Sequence, residues 1–388
     1  MTDLATRAAA PPAPLLRRAA PALLGYAAVR ALGLAVLAVW SAVRGKSAYT
    51  LLTARWDSLW YARVAGPGYG YEVRLPNGDV HSDLAFFPLL PWLERLGHAV
   101  APLSYADAGF AVSVLASLAA AWGIFAVAEW VYGPRVGVFA VLLWAVLPVG
   151  IVQSMAYSES LFTALAAWSL YAVLTDRWPV AGLLAALAGL TRPVGLAVVA
   201  AVWAAGVLSL VRNRRAGRST EAPAWQRLLG LLLAPLGAAG YVLWVGRRTG
   251  KGPFGYLDVQ AGWRNGFDGG YAFARFVAGR FTSFPSALAG AGLVIGVALL
   301  IRLYVTGVRQ RQPLALLVYT GVVLALALCA SSYFGSKPRL LMPAFPVLFP
   351  LARALAALRP PRSAMVTAGV AVASAVYGAF WLNGSGPP

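Results

Sequence analysis

Residues 106–131 read ADAGFAVSVLASLAAAWGIFAVAEWV, and this stretch decides the class of fold. Its only charges, Asp107 and Glu129, lie near its ends, so everything between them is one apolar run. A helix rises about 1.5 Å per residue, so a run of this length crosses the roughly 30 Å of hydrocarbon in a bilayer. An outer-membrane barrel is excluded, because its strands alternate apolar with polar residues over about ten positions.

Outward from this run the same reading recurs along the chain. Apolar segments between charged or Pro/Gly breaks fall at 23–43, 106–131, 136–151, 159–174, 179–190, 194–211, 228–246, 286–306, 313–331, 339–358 and 363–382. The chain therefore reads as an all-α polytopic membrane protein with about eleven transmembrane helices. The fifth segment is too short to cross alone and, with the sixth, predicts an element broken around Thr191, Arg192 and Pro193. Residues 84–104 are apolar but hold Pro88, Pro91, Glu94, Arg95 and His98, which predicts an amphipathic or re-entrant segment. Composition agrees. Of 388 residues 60% are hydrophobic and 12% charged, with mean hydropathy +0.70, whereas a soluble domain carries about 25% charged residues.

The net charge of +19 comes mainly from arginine, since lysine occurs only at Lys46, Lys251 and Lys337. Most arginines flank apolar runs, where they orient helices and meet anionic head groups, so nucleic acid is not an expected partner. Short connections decide the orientation. Arg135, Arg177, the group Arg212, Arg214, Arg215 and Arg218, Arg309 with Arg311, and Arg359 with Arg362 share the side of the N-terminus. That side is predicted to be cytoplasmic. The reading gives a cytoplasmic tail at 1–22, one transmembrane domain at 23–383 and a C-terminal tail at 384–388. The long loops 44–105 and 247–285, with the turns at 152–158, 191–193 and 332–338, then face outward together. The first apolar stretch is too long for a signal-peptide core and no small-residue cleavage site follows it, which predicts an uncleaved first helix in a multi-pass cell-membrane protein.

Whole classes of chemistry lack material. Two histidines, His81 and His98, and the single Cys329 supply neither a His/Cys metal site nor a Ser-His-Asp arrangement, and no metal or other cofactor is expected. Gly45-Lys46-Ser47 ends like a phosphate-binding loop, but Trp40 stands where its first glycine belongs. Gly292 and Gly296 fit a helix-packing face.

The functional signal begins at RWDSLWY, residues 55–61, where Asp57 sits among Trp56, Trp60 and Tyr61. Asp57 reads either as a helix cap in an aromatic belt or as a reactive carboxylate. Asp83 opens DLAFFPLLP, residues 83–91. In AYSESLF, residues 156–162, Glu159 stands at the mouth of the fourth span, either capping its helix or facing a polar cavity. Arg192 interrupts an apolar stretch and predicts a phosphate ligand or a structural partner for Glu159.

These pieces fit glycosyl transfer from a lipid-phosphate sugar. The phosphate leaving group is already a weak base, so one carboxylate suffices, unlike the carboxylate pair of glycoside hydrolysis. Nucleotide sugars are not available outside the cytoplasmic membrane, which favours a lipid-carried donor for an outward site. Asp57 is the expected catalytic base, and Trp56, Asp83, Gln153, Tyr157 and Glu159 the expected substrate-binding residues. Arg192, Arg339 and Lys337, beside the breaks at Pro193 and Pro338, are the expected ligands of the donor phosphate. A secondary transporter, or a lipid-handling membrane protein without activity, is the alternative.

The run RWDSLWYARVAGPGYGYE at 55–72, DLAFFPLLP at 83–91, the Leu147-Pro148 pair and YSESLF at 157–162 resemble the PIG-V-like mannosyltransferases, relatives of the enzyme that adds the second mannose of the GPI anchor. The resemblance covers roughly 23–350, more loosely at SSYFGSKPRLLMPAFP, residues 331–346. It implies a GT-C class transferase with polyprenyl-phosphate mannose as donor and inversion at the anomeric carbon. By motif position the family's loop aspartate falls on Asp57, the acid before AFFP on Asp83 and the YSESLF carboxylate on Glu159. Membrane lipids surround the chain, and the acceptor is left open among glycolipid, lipoglycan or other glycan, and secreted protein.

Overall fold

The computed structural model describes residues 14–216, 223–384 and 386. Arg7 and Arg218 lie outside the described residues, as do the side chains of Arg212, Arg214 and Arg215. Each of the eleven apolar segments is helical, and the chain is a multi-pass membrane protein of almost wholly helical architecture. Among the described residues, six helices are long and apolar enough to cross a bilayer: Leu15–Val43, Tyr105–Tyr132, Pro193–Val211, Ala224–Thr249, Phe284–Arg309 and Pro360–Leu382. A seventh crossing is possible where Phe334–Leu341 and Phe345–Ala357 bend by 76°. The bend falls at Pro343, which removes a helical donor.

Four apolar helices are shorter: Pro134–Ala145, Glu159–Leu174, Trp178–Gly189 and Leu314–Cys329. A helix of 12 residues, such as Pro134–Ala145, reaches only about 18 Å. The expected third span therefore ends early: Pro148 cannot donate, and the chain turns into a 3-10 segment at Gly150–Ser154. The expected break at 191–193 is present, between Trp178–Gly189 and a 3-10 turn at Pro193–Gly195. Tyr105–Tyr132 is the central post, with Ala120, Ala121, Ile124 and Phe125 fully buried against neighbouring helices. Small residues permit that closeness. A Cβ on Gly123 would stand 2.9 Å from Ala167 Cβ, and one on Gly182 would stand 2.3 Å from Gly230 O.

The two long loops are ordered and meet on one face. The first holds helices at Ala48–Thr53 and Asp57–Ala65, an antiparallel hairpin of Glu72–Arg74 with Val80–Ser82, and the helix Leu89–Val100. That last helix is amphipathic, burying Leu90, Pro91 and Glu94 and exposing Trp92, Leu96 and Val100. The second loop docks onto it. His81 stacks on Trp263 at 4.0 Å between ring centroids, Trp263 Nε1 donates to Ser82 O, and Arg264 pairs with Asp79 at 2.6 Å. A two-residue strand at Gly266–Phe267 pairs with Ala330–Ser331 and draws the turn 332–338 to the same face.

Candidate active site

Asp57 begins the helix Asp57–Ala65 after a left-handed residue, Trp56, at φ 51°. A tryptophan rarely adopts that backbone, and holding it there costs on the order of 1–3 kcal/mol. Surrounding contacts fix the turn. Ser58 Oγ accepts from Arg55 N at 2.9 Å and donates to Arg55 O at 2.7 Å. The Arg55 guanidinium lies 3.8 Å from the Trp56 ring centroid, and its Nη1 donates to Leu382 O at 3.1 Å. The second wall is the YSES turn, tied to the first loop where Ala156 N donates to Leu52 O at 2.9 Å. Glu159 begins the helix Glu159–Leu174.

Neither carboxylate serves as a cap of its own helix. Asp57 Oδ2 accepts from Arg339 Nη1 at 2.5 Å. Glu159 Oε1 meets Arg192 Nη1 in a close ion pair and lies 3.3 Å from Arg339 Nε. These Glu159 contacts are ionic and not aligned as hydrogen bonds. The result is a chain of alternating charge, Asp57, Arg339, Glu159, Arg192, drawn from four separate parts of the sequence. It is graded in exposure: the Asp57 side chain is 25% exposed, that of Arg192 12%, that of Arg339 8% and that of Glu159 1%. Charges so withdrawn from water persist only when paired. Asp57 is thus the member most open to solvent, and its Oδ1 has no hydrogen-bond partner among the described residues.

The other expected residues divide. Tyr157 belongs to the cluster: its ring lies 5.0 Å from the Arg339 guanidinium carbon, and its hydroxyl donates to Arg55 O at 3.4 Å. Trp56, beside Asp57 in sequence, is half-buried against the hydrophobic core. Gln153 is fully buried, its Nε2 donating to Trp144 O at 2.7 Å, so it shapes the turn before Tyr157 from within the protein. Asp83 lies apart. Its carboxylate accepts from Gly70 N and Tyr71 N, each at 2.9 Å to Oδ2, and so closes the loop before the hairpin. Burial pushes that carboxyl above its ordinary value while these amides pull it back. Lys337 also lies apart from the cluster. It donates to Ala327 O and Ala330 O, both at 2.8 Å, and lies over the Phe273 and Phe334 rings. Its charge answers the orphan carbonyls at the end of Leu314–Cys329, so it stands outside the cluster.

Two members were missed by sequence reasoning. Ser158 Oγ accepts from Arg192 Nη1 at 3.1 Å and shares a 2.7 Å hydrogen bond with Tyr61. Both stand inside the RWDSLWY and YSESLF motifs, which was the only signal available.

Residues 83–256 match the family model described as dolichyl-phosphate-mannose-protein mannosyltransferase, under half of the chain. No curated protein matches the sequence. Among solved structures, ArnT from Cupriavidus metallidurans bound to undecaprenyl phosphate is similar at 17% identity and TM-score 0.54, over 88% of this chain and 61% of that one. The apo state of the same ArnT is similar at 18% identity and TM-score 0.50, over 79% of this chain and 55% of that one. The chain thus spans less than two thirds of the length of these structures. The likeness shows the fold, the GT-C arrangement of multi-span transferases expected from the sequence.

Proposed function

We propose that this chain is an inverting membrane glycosyltransferase that moves mannose from polyprenyl-phosphate mannose to the hydroxyl of an extracytoplasmic acceptor. The observation that carries the reading is the Asp57–Arg339 pair, a reachable carboxylate held against a buried guanidinium. The matched family model supports mannose and a lipid-phosphate carrier, and the undecaprenyl phosphate held by ArnT supports a polyprenyl chain. The PIG-V-like motifs support the same reaction.

In this reading Asp57 Oδ1 accepts the proton of the acceptor hydroxyl while that oxygen attacks the anomeric carbon. The bond from that carbon to the phosphate oxygen breaks, and its electron pair leaves with the polyprenyl phosphate. Attack from the face opposite the leaving group inverts the anomeric centre. Arg339 fixes the Asp57 carboxylate through Oδ2 and, with Arg192, supplies positive charge for the departing phosphate. Glu159 keeps both guanidiniums in place. No cofactor takes part in this scheme.

The test is product formation. Purified protein incubated with polyprenyl-phosphate mannose, glucose or another hexose, together with membrane glycolipids, is expected to form an acceptor one hexose heavier from the mannose donor. Asp57→Asn should lower the rate by at least about two orders of magnitude, the scale of a general base, with donor binding retained. Near-normal turnover in that variant would sink the assignment.

A further inference from the structure

Away from the charged cluster, a groove of about 470 Å³ runs between the helices Leu15–Val43, Pro134–Ala145 and Pro360–Leu382. Its walls are apolar, with Val29, Phe139 and Leu142 facing the short side chains of the last helix. Gly25 opens one wall: a Cβ there would stand 2.7 Å from Leu142 Cδ2. On the last helix the lining runs from Pro360 to Ala371. At 1.5 Å per residue that is about 16 Å, close to half of the ~30 Å hydrocarbon core. The groove has the length of one leaflet.

One mouth of the groove is strongly positive. Arg135 lines it, and Arg359 and Arg362 flank the lining residues Pro360 and Ser363. All three are exposed, and none has a carboxylate partner among the described residues. Two helices also begin there, at Pro134 and Pro360, and neither has a side-chain cap or an acid in its first turn. Their amino ends add partial positive charge that no side-chain cap answers among the described residues. Arg135 Nη2 donates to Leu358 O at 2.7 Å, which holds the two helix starts together.

We propose that this groove is a binding site for an anionic glycerophospholipid. Its phosphate sits among Arg135, Arg359 and Arg362 at the two helix starts, and one acyl chain lies along the apolar channel. The site is distinct from the Asp57 cluster and does not rest on the proposed reaction. It lies on the arginine-rich side, where anionic lipid would tie the first and last helices to the short Pro134–Ala145 helix, which is too short to reach both faces of the bilayer by itself. The walls alone would accept any lipid chain, so the charge at the mouth is what selects the head group.

The test is competition by native mass spectrometry. The detergent-purified chain is exposed to equal amounts of phosphatidylglycerol, phosphatidylcholine and undecaprenyl phosphate. Phosphatidylglycerol should be retained over phosphatidylcholine, and Arg135→Gln with Arg362→Gln should weaken that preference about fivefold for each arginine, the usual contribution at an anionic surface. Both side chains are exposed, and an unchanged melting temperature in each variant separates loss of lipid from loss of the Arg135–Leu358 contact. Ala368→Phe, which fills the channel, should reduce retention of phosphatidylglycerol. Equal retention of the two phospholipids by the unaltered protein overturns the proposal, as does a preference that survives the arginine changes. Retention of undecaprenyl phosphate in place of phosphatidylglycerol overturns it in favour of the carrier lipid.

Discussion

Arg339 and Asp57 lie 282 positions apart in sequence and 2.5 Å apart in space. The same guanidinium reaches Glu159 at 3.3 Å, so one arginine joins the half-buried carboxylate to the fully buried one. Arg339 stands in the short helix Lys337–Leu341, just before the 76° bend, and is buried there.

Removing that guanidinium leaves Asp57 without its ion-pair partner and Glu159 with Arg192 alone. Arg339→Gln should lower the melting temperature, because Asp57 loses its ion-pair partner and the buried Glu159 loses one of its two. The rate should fall with it, since Asp57 loses its anchor. Adding Asp57→Asn should recover part of the melting temperature and none of the activity. A single variant with unchanged melting and turnover would show that the pair matters to neither.

Arg192 touches Glu159 and Ser158, so its structural role is built into the geometry. Arg192→Ala should therefore destabilise the protein, and a further Glu159→Gln should restore the melting temperature by removing a buried charge left with Arg339 alone. For a phosphate ligand, donor affinity stays weak in the double variant. Normal donor affinity in the stabilised double variant would remove Arg192 from the donor site.

The legible part of this protein was its apolar patterning. Eleven apolar segments became helices because continuous runs leave the backbone no other way to satisfy its polar groups in lipid. Lengths were less legible: Pro148 and Pro343 cut or bend elements that hydrophobicity alone reads as full spans. Glu159 and Arg192 stand out in the sequence because a charge in an apolar stretch is expensive and must be answered, Asp57 through its aromatic motif and Arg339 through the break at Pro338. Which charge answers which depends on long-range packing, and sequence spacing carries no record of it. Asp83 and Lys337 show the limit. Each has the right residue type beside the right motif, and each meets backbone groups of its own neighbourhood instead.

Glu94 gives the clearest pH dependence. Its carboxyl is buried between Leu89–Val100 and Tyr105–Tyr132, has no hydrogen-bond partner among the described residues, and would lie 2.4 Å from a Cβ on Gly109. Arg95 beside it points away, donating from Nε to Ala65 O. Burial pushes Glu94 from its ordinary 4.5 up to about 9. Between those values the folded protein holds a proton that the unfolded chain has released, so stability falls as pH rises through this window. Melting temperatures measured across it should decline, and Glu94→Gln should flatten the decline. An unchanged slope in that variant would place the titration elsewhere.

The last prediction concerns sidedness, on which the lipid-carried donor depends. The long loops 44–105 and 247–285 meet on one face through His81, Trp263, Asp79 and Arg264, so they must share a side of the membrane. The chain of charges lies with them, through Asp57 in the first loop. The short connections bearing Arg135, Arg177 and Arg359 are predicted to be cytoplasmic, which puts the loops outside. Single cysteines at Asn77 and Leu257, both exposed, in a Cys329→Ala background should react with an impermeant thiol reagent on intact cells. Because the two loops are packed together, both positions must label alike. Labelling of both only after permeabilisation would reverse the topology, put Asp57 within reach of cytoplasmic nucleotide sugars, and remove the reason for a lipid-phosphate donor.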